Sequence, residues 1–124
     1  MGVNTVSPTN KLVCLLEPDE AVRTAITALL KQCGWNVNNV QKASDLAEWL
    51  DENIANAVIS ESSLPDMSAD RVLKICRERN IPTLFMGHGS DINAAVKLMR
   101  KGAADFFEKP FDQKRLVKVL NRYS

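Results

Sequence analysis

Metal- and cofactor-binding equipment is scarce in this chain. It has one histidine, His88, which cannot build a metal cluster alone. Its three cysteines, Cys14, Cys33 and Cys76, are odd in number, widely spaced and form no CxxC pair. They read as reduced interior thiols rather than a disulfide framework, a zinc site or a redox switch. Glycine is sparse, and no phosphate-cradling glycine loop follows the first apolar run, where EPDE (17–20) stands. That argues against a small-ligand-binding or flavin-type domain. Neither charge sign dominates: 16 Lys and Arg against 15 Asp and Glu give a net charge of +1, without a basic stripe for nucleic acid. No apolar run approaches the roughly 20 residues of a spanning helix, so no membrane contact is expected. The polar start, MGVNTVSPTNK, has no signal-peptide core. Val6 stands where a myristoylation signal has Ser or Thr. A cytoplasmic location is the expectation.

What is present is a globular composition. Hydrophobic residues make up 45% of 124, enough for the core of one domain. Residues 1–10 read as a flexible arm and 11–124 as the domain. KLVCLL (11–16) is almost wholly apolar, as a central parallel strand would be. A helix follows, with Asp19 and Glu20 in its first turn, Val22, Ile26, Leu29 and Leu30 on one face, and Gly34 ending it. WNVNNV (35–40) alternates as a strand. A helix over 42–53 takes Ser44 as its N-cap. ANAVIS (55–60), IPTLFMG (81–87) and AADFFEK (103–109) are further strands. Helices over 69–80, 91–102 and 112–124 complete the pattern.

Five strands alternating with five helices predict an α/β fold, a doubly wound five-stranded parallel sheet. Right-handed crossovers and the chain length favour strand order 2-1-3-4-5. Functional groups in such sheets collect at the carboxyl ends of the strands, beside the switch in strand order. There the sequence puts Glu17 and Glu61, with Lys109 ending strand 5 and Asp19 nearby. Clustered acids of this kind suit a hard cation such as magnesium, and a lysine beside them suits a carboxylate or phosphate. The plain alternative is a set of solvated strand ends.

The segments LLEPDEAVR, SESSLPDMSAD, MGHGSD and KGAADFFEKPF stand at the ends of strands 1, 3, 4 and 5. With them the chain from about Lys11 to Tyr123 resembles the receiver domain of two-component response regulators. It is most similar to receivers of nitrogen-regulation-type transcriptional regulators. The resemblance implies a flavodoxin-like, CheY-like fold and a phosphorelay chemistry. In the family, two acids after strand 1 hold magnesium and an aspartate ending strand 3 takes a phosphoryl group from a histidine kinase. A Thr or Ser ending strand 4 then bonds the phosphoryl group, an aromatic residue on strand 5 reorients, and a strand 5 lysine pairs with the phosphoaspartate.

The chain departs from that pattern. The acid pair falls on Glu17 and Pro18, which leaves at most a weak magnesium site at Glu17 and Glu61. The phosphoacceptor position falls on Glu61 and the hydroxyl position on Gly87. Phe106 keeps the aromatic switch position and Lys109 the pocket lysine. Glutamate displaces the carboxylate by one C–C bond, about 1.5 Å, from the position aspartate would give. In-line phosphoryl transfer rests on positioning, so the change is a handicap. The longer acid can instead reach Lys109 and fix one conformation. At a half-exposed pocket edge such a pair would contribute on the order of 1 kcal/mol or less.

The function expected is that of a phosphorylation-independent pseudo-receiver, a non-enzymatic signalling and dimerisation module without a cofactor. The alternative is a working phosphoacceptor that uses Glu61 or nearby Asp66. A homodimer is expected through the helix 4–strand 5–helix 5 face, whose Lys97, Arg100, Lys101, Lys114, Arg115, Lys118 and Arg122 are mixed with acids such as Asp91, Asp105, Glu108 and Asp112. A downstream output domain, of transcriptional type, or a partner protein would read the state. With Gly87 and Gly89, the loop carrying His88 lacks a latch and is expected to be mobile.

Overall fold

The computed structural model describes residues 11–89 and 92–124. The expected arm over 1–10 lies outside the described residues, and so does Asp91. Five strands form one parallel sheet: β1 Leu12–Leu16, β2 Asn36–Asn39, β3 Ala57–Glu61, β4 Thr83–His88 and β5 Asp105–Lys109. Their order is β2-β1-β3-β4-β5, as expected for the doubly wound fold. The helices are α1 Glu20–Gln32, α2 Leu46–Glu52, α3 Ala69–Glu78, α4 Ile92–Arg100 and α5 Gln113–Leu120. Among the described residues no helix is long and apolar enough to cross a membrane.

β1, β3 and β4 bury both faces, which is why they read as nearly continuous apolar runs, whereas the edge strand β2 is largely exposed. Successive residues alternate between two core layers. Val13, Leu15, Ala57, Ile59, Leu84, Met86 and Phe107 pack with α1 and α5 through Ile26, Leu30, Leu116 and Leu120. Cys14, Leu16, Val58 and Phe85 pack with Leu46, Val72, Leu73, Cys76 and Leu98 of α2, α3 and α4. Cys14 and Cys76 are free and buried, and Cys33 is free and half-buried. Burial pushes the thiols of Cys14 and Cys76 well up, Cys76 to about 11, so neither is a ready thiolate.

Several boundaries differ from the sequence reading, each for a local reason. Ser44 is not an N-cap. Residues 43–45 form a 3-10 turn instead, and α2 starts at Leu46 without a side-chain cap. The Ala43 amide is satisfied from outside, by the Asp66 carboxylate at 2.9 Å. The last helix stops at Leu120, and a 3-10 turn covers Asn121–Tyr123. That turn is held by long-range bonds: Trp35 Nε1 donates to Asn121 Oδ1 at 2.9 Å, and Asn56 Nδ2 donates to the Tyr123 carbonyl at 2.9 Å. Trp35 is therefore a buried anchor just before β2 rather than a strand residue. Strand 5 begins at Asp105, two residues later than its apolar start suggests.

Candidate functional site

Strand register builds the site. β1 pairs with β3 so that Leu15 faces Ile59 and Leu16 faces Ser60. Continuing that register brings Glu17 beside Glu61. Both share the parity of the residues packed under α1 and α5, and so does Lys109, two residues beyond Phe107. The Lys109 ammonium sits between the two acids, donating to Glu17 Oε1 and Glu61 Oε1, each at 2.5 Å. The side chains of Lys109, Glu17 and Glu61 are 12%, 1% and 8% exposed. The pair expected at a half-exposed edge is thus an enclosed three-membered cluster. The half-exposed setting assumed for that pair is not found, and removing one member would strand a buried charge.

The remaining carboxylate oxygens are also engaged. Glu61 Oε2 accepts from the Ser63 amide at 2.9 Å and the Ser62 hydroxyl at 3.2 Å. Glu17 Oε2 accepts from the Asp19 amide at 3.1 Å. Burial pushes the Glu61 carboxyl up, but the Lys109 bond, the Ser63 amide, the Lys109 charge and the Ser62 hydroxyl outweigh it. Its pKa therefore lies below the ordinary value. Burial likewise opposes charge on Lys109, yet bonds to Glu17 and Glu61 hold its pKa above the ordinary lysine value. Around the β1–α1 turn, Arg23 Nη1 donates to the Glu17 carbonyl at 3.0 Å and the Pro18 carbonyl at 3.4 Å.

The other positions singled out in the sequence divide into two groups. Asp19 does not face the cluster as a third acid. It is the N-cap of α1, and its Oδ1 accepts from the Val22 amide at 3.1 Å. Pro18 is exposed. Asp66 turns away to the 3-10 turn before α2. Gly87 and Phe106 lie together on the α3–α4 side of the sheet, where β4 and β5 pair Phe85 with Phe106 and Gly87 with Glu108. His88 ends β4 exposed. Of the loop after it, Gly89 is a turn residue overlain by the Glu108 side chain, and 90–91 lie outside the described residues.

This donor set does not fit a magnesium ion. The cation would need oxygens facing a common centre in octahedral geometry. That centre is taken by the Lys109 ammonium, the second oxygens are spent on amides and a hydroxyl, and the Pro18 side chain has no ligand atom. Among the described residues no group of three or more His, Cys, Asp and Glu could hold a metal. The sequence reading missed Ser62, Ser63 and Arg23. The signal was available in SESS (60–63), since small hydroxyl residues flanking an acid favour local side-chain bonds.

Known proteins match this architecture along nearly all of its length. The TodT response regulator of Pseudomonas putida is 32% identical over 122 residues, covering 96% of this chain and 53% of TodT. The DNA-binding transcriptional regulator NtrC of Rhizobium meliloti is 28% identical over 116 residues, covering 92% of the chain and 24% of NtrC. The chain thus spans about half of TodT and a quarter of NtrC. Among solved structures, full-length FixJ from B. japonicum superposes with a TM-score of 0.84 at 27% identity, covering 93% of this chain and 58% of FixJ. A receiver protein from Pseudoalteromonas atlantica gives 0.78 at 28% identity, with 90% and 95% covered. The response regulator receiver domain model matches residues 13–121, and the chain belongs to that family.

Proposed function

We propose that residues 11–124 are a receiver that signals without being phosphorylated. It is a non-enzymatic, cytoplasmic module that controls a transcriptional output domain through its α4–β5–α5 face. The observation that carries this reading is the Lys109 ammonium held between Glu17 and Glu61, with the second oxygen of each acid already bonded. A phosphoryl acceptor must attack through a free carboxylate oxygen with a cation to neutralise the developing charge. Here the acceptor position is bonded on both oxygens, and the place for the cation holds a lysine. The same bonds that block chemistry fix the ends of β1, β3 and β5 relative to one another. The cluster then stands in for a signal that other receivers acquire.

The output face has an apolar stripe that the charge pattern concealed. Ile92, Val96 and Met99, at helical spacing on α4, are 69%, 41% and 43% exposed. Lys97, Arg100 and Lys101 flank them, and the Arg115–Asp105 pair lies at 2.9 Å on the neighbouring β5 and α5. An apolar centre with a mixed-charge rim suits a self-complementary contact between two copies. The alternative, a phosphoacceptor at Glu61 or Asp66, has less support, because Asp66 is bonded to Ala43 away from the cluster. The test is intact-mass measurement after incubation with acetyl phosphate and magnesium, beside sedimentation of untreated protein. We expect no mass gain and self-association without a phosphodonor. A phosphoryl adduct that disappears in Glu61→Gln would favour the alternative.

A further inference from the structure

Glycine at position 87 removes a side chain from the α3–α4 side of β4, but its neighbours fill the volume. A Cβ placed on Gly87 would fall 2.3 Å from the Ser62 hydroxyl oxygen, 2.9 Å from Cζ of the Phe106 ring and 3.5 Å from Cβ of Ser62. The first two distances are below any van der Waals contact. Ser62 and Phe106 therefore occupy the space of a residue-87 side chain. The Ser62 amide donates to the Met86 carbonyl at 2.7 Å, which pins the residue against β4 just before Gly87. Its hydroxyl donates to Glu61 Oε2 at 3.2 Å.

We propose that Ser62 is a positioning residue that supplies, from the end of β3, the hydroxyl that Gly87 takes away from β4. Its hydroxyl reads Glu61, and its body limits how far the Phe106 ring leans over Gly87. Ser62 thereby couples the Glu17–Lys109–Glu61 cluster, under α1, to the ring on the α4 side. This deepens the phosphorylation-independent reading and rests on it for the meaning of the coupled state. The geometry has a chemical logic. A serine hydroxyl has one proton, and here that proton goes to a carboxylate. The bond fixes the rotamer, and a fixed rotamer beside a glycine makes a one-sided stop for the ring. Phe106 is half-buried against the α3–α4 core layer, which includes Leu98 of α4.

The test is a relocation of the side chain, read with phenylalanine carrying carbon-13 in its ring. Gly87→Ser alone puts two side chains in one volume. We expect displaced Phe106 ring resonances and a lower urea midpoint. Ser62→Ala alone removes the stop, and the Phe106 resonances should shift or broaden. The double variant, Ser62→Ala with Gly87→Ser, returns a hydroxyl to the same volume from β4. The Cβ at 87 still meets the ring, so its ring resonances should stay displaced from wild type but less than those of Gly87→Ser, and its midpoint should exceed that of Gly87→Ser. Unmoved Phe106 resonances in Ser62→Ala, or a double variant equal to the sum of the singles, would overturn the proposal. Glu61→Ala separates this from the broader reading. If Glu61→Ala changes self-association while the relocation fails, the cluster keeps its role and Ser62 loses its own. If the relocation succeeds while Glu61→Ala self-associates like wild type, Ser62 keeps its role and the cluster's control of the output face is refuted.

Discussion

Among the described residues, ion pairs occur in two settings, and the contrast shows what a charge pair can contribute. On the surface, Arg79 grips Asp51 through Nε and Nη2 at 2.8 and 3.1 Å, joining α3 to α2. Lys101 meets Asp70 at 3.0 Å, and Arg115 meets Asp105 at 2.9 Å. The Arg79–Asp51 pair is bidentate, and its hydrogen bond lowers the Asp51 pKa. Yet the Asp51 side chain is 61% exposed, so water competes for both charges. At the carboxyl ends of the strands, Glu17, Glu61 and Lys109 are nearly enclosed. Water replaces a missing partner far less readily there, and each member leans on the other two. Identical chemistry fastens the outside of the fold and fixes conformation inside it.

The comparison breaks most sharply at Lys109. Lys109→Met keeps much of the side-chain length and leaves two enclosed carboxylates without their shared cation. The expected loss is about 3 kcal/mol or more in urea unfolding, as for other buried pairs that lose one member. A loss no larger than that of a surface variant would place the cluster with the solvated pairs.

Self-association is the next largest effect. Glu61→Ala and Lys109→Ala should each weaken it on the order of tenfold, within the usual range of coupling between distant sites. The double variant should be no worse than either, since the two residues act as one unit. Sedimentation velocity over a concentration series measures this.

The pH profile sharpens the same contrast. The Glu61 pKa is lowered on folding, so its contribution is present above the unfolded carboxylate value of about 4 and is lost as pH falls through the lower folded value. The Lys109 pKa is raised, so its contribution is present below the unfolded value near 10 and is lost as pH rises through the higher folded value. Stability measured against pH should be flat from about 4 to about 8, above which it falls because the buried Cys14 and Cys76 thiols have raised folded pKa values. The acid limb should be shallower in Glu61→Gln than in wild type, and unchanged steepness would mean that Glu61 carries no charge-dependent share.

Rebuilding the site is a further test. Pro18→Asp, Glu61→Asp and Gly87→Thr restore two acids, an acceptor and a hydroxyl. Because the new Cβ at 87 meets Ser62, Ser62→Ala must accompany them. The fourfold variant should gain a phosphoryl mass with acetyl phosphate and magnesium, while Glu61→Asp alone should not. The smallest effect belongs to the surface. Asp51→Ala should leave both the urea midpoint and self-association near wild type.

The sequence by itself determined the sheet and its order. Apolar runs of strand length alternating with amphipathic helices leave few topologies, and short loops with right-handed crossovers select one. It also brought Glu17, Glu61 and Lys109 to the same edge of a parallel sheet, because each stands at the carboxyl end of a strand. Tertiary structure decided the rest. Periodicity cannot tell whether a strand-end acid is wet or enclosed, since that depends on how α1 and the β5–α5 connection close over it. Asp19 and Asp66 read as spare acids near the pocket, but each is spent on capping a helix or turn, one of them 23 residues away in sequence. The α4 stripe was hidden because Ile92, Val96 and Met99 have the spacing of a core face, and the helix turns Leu98 inward instead. Gly87 signalled a lost hydroxyl. That a serine just past the neighbouring strand fills its place follows from two backbones lying one strand spacing apart, which no linear pattern records.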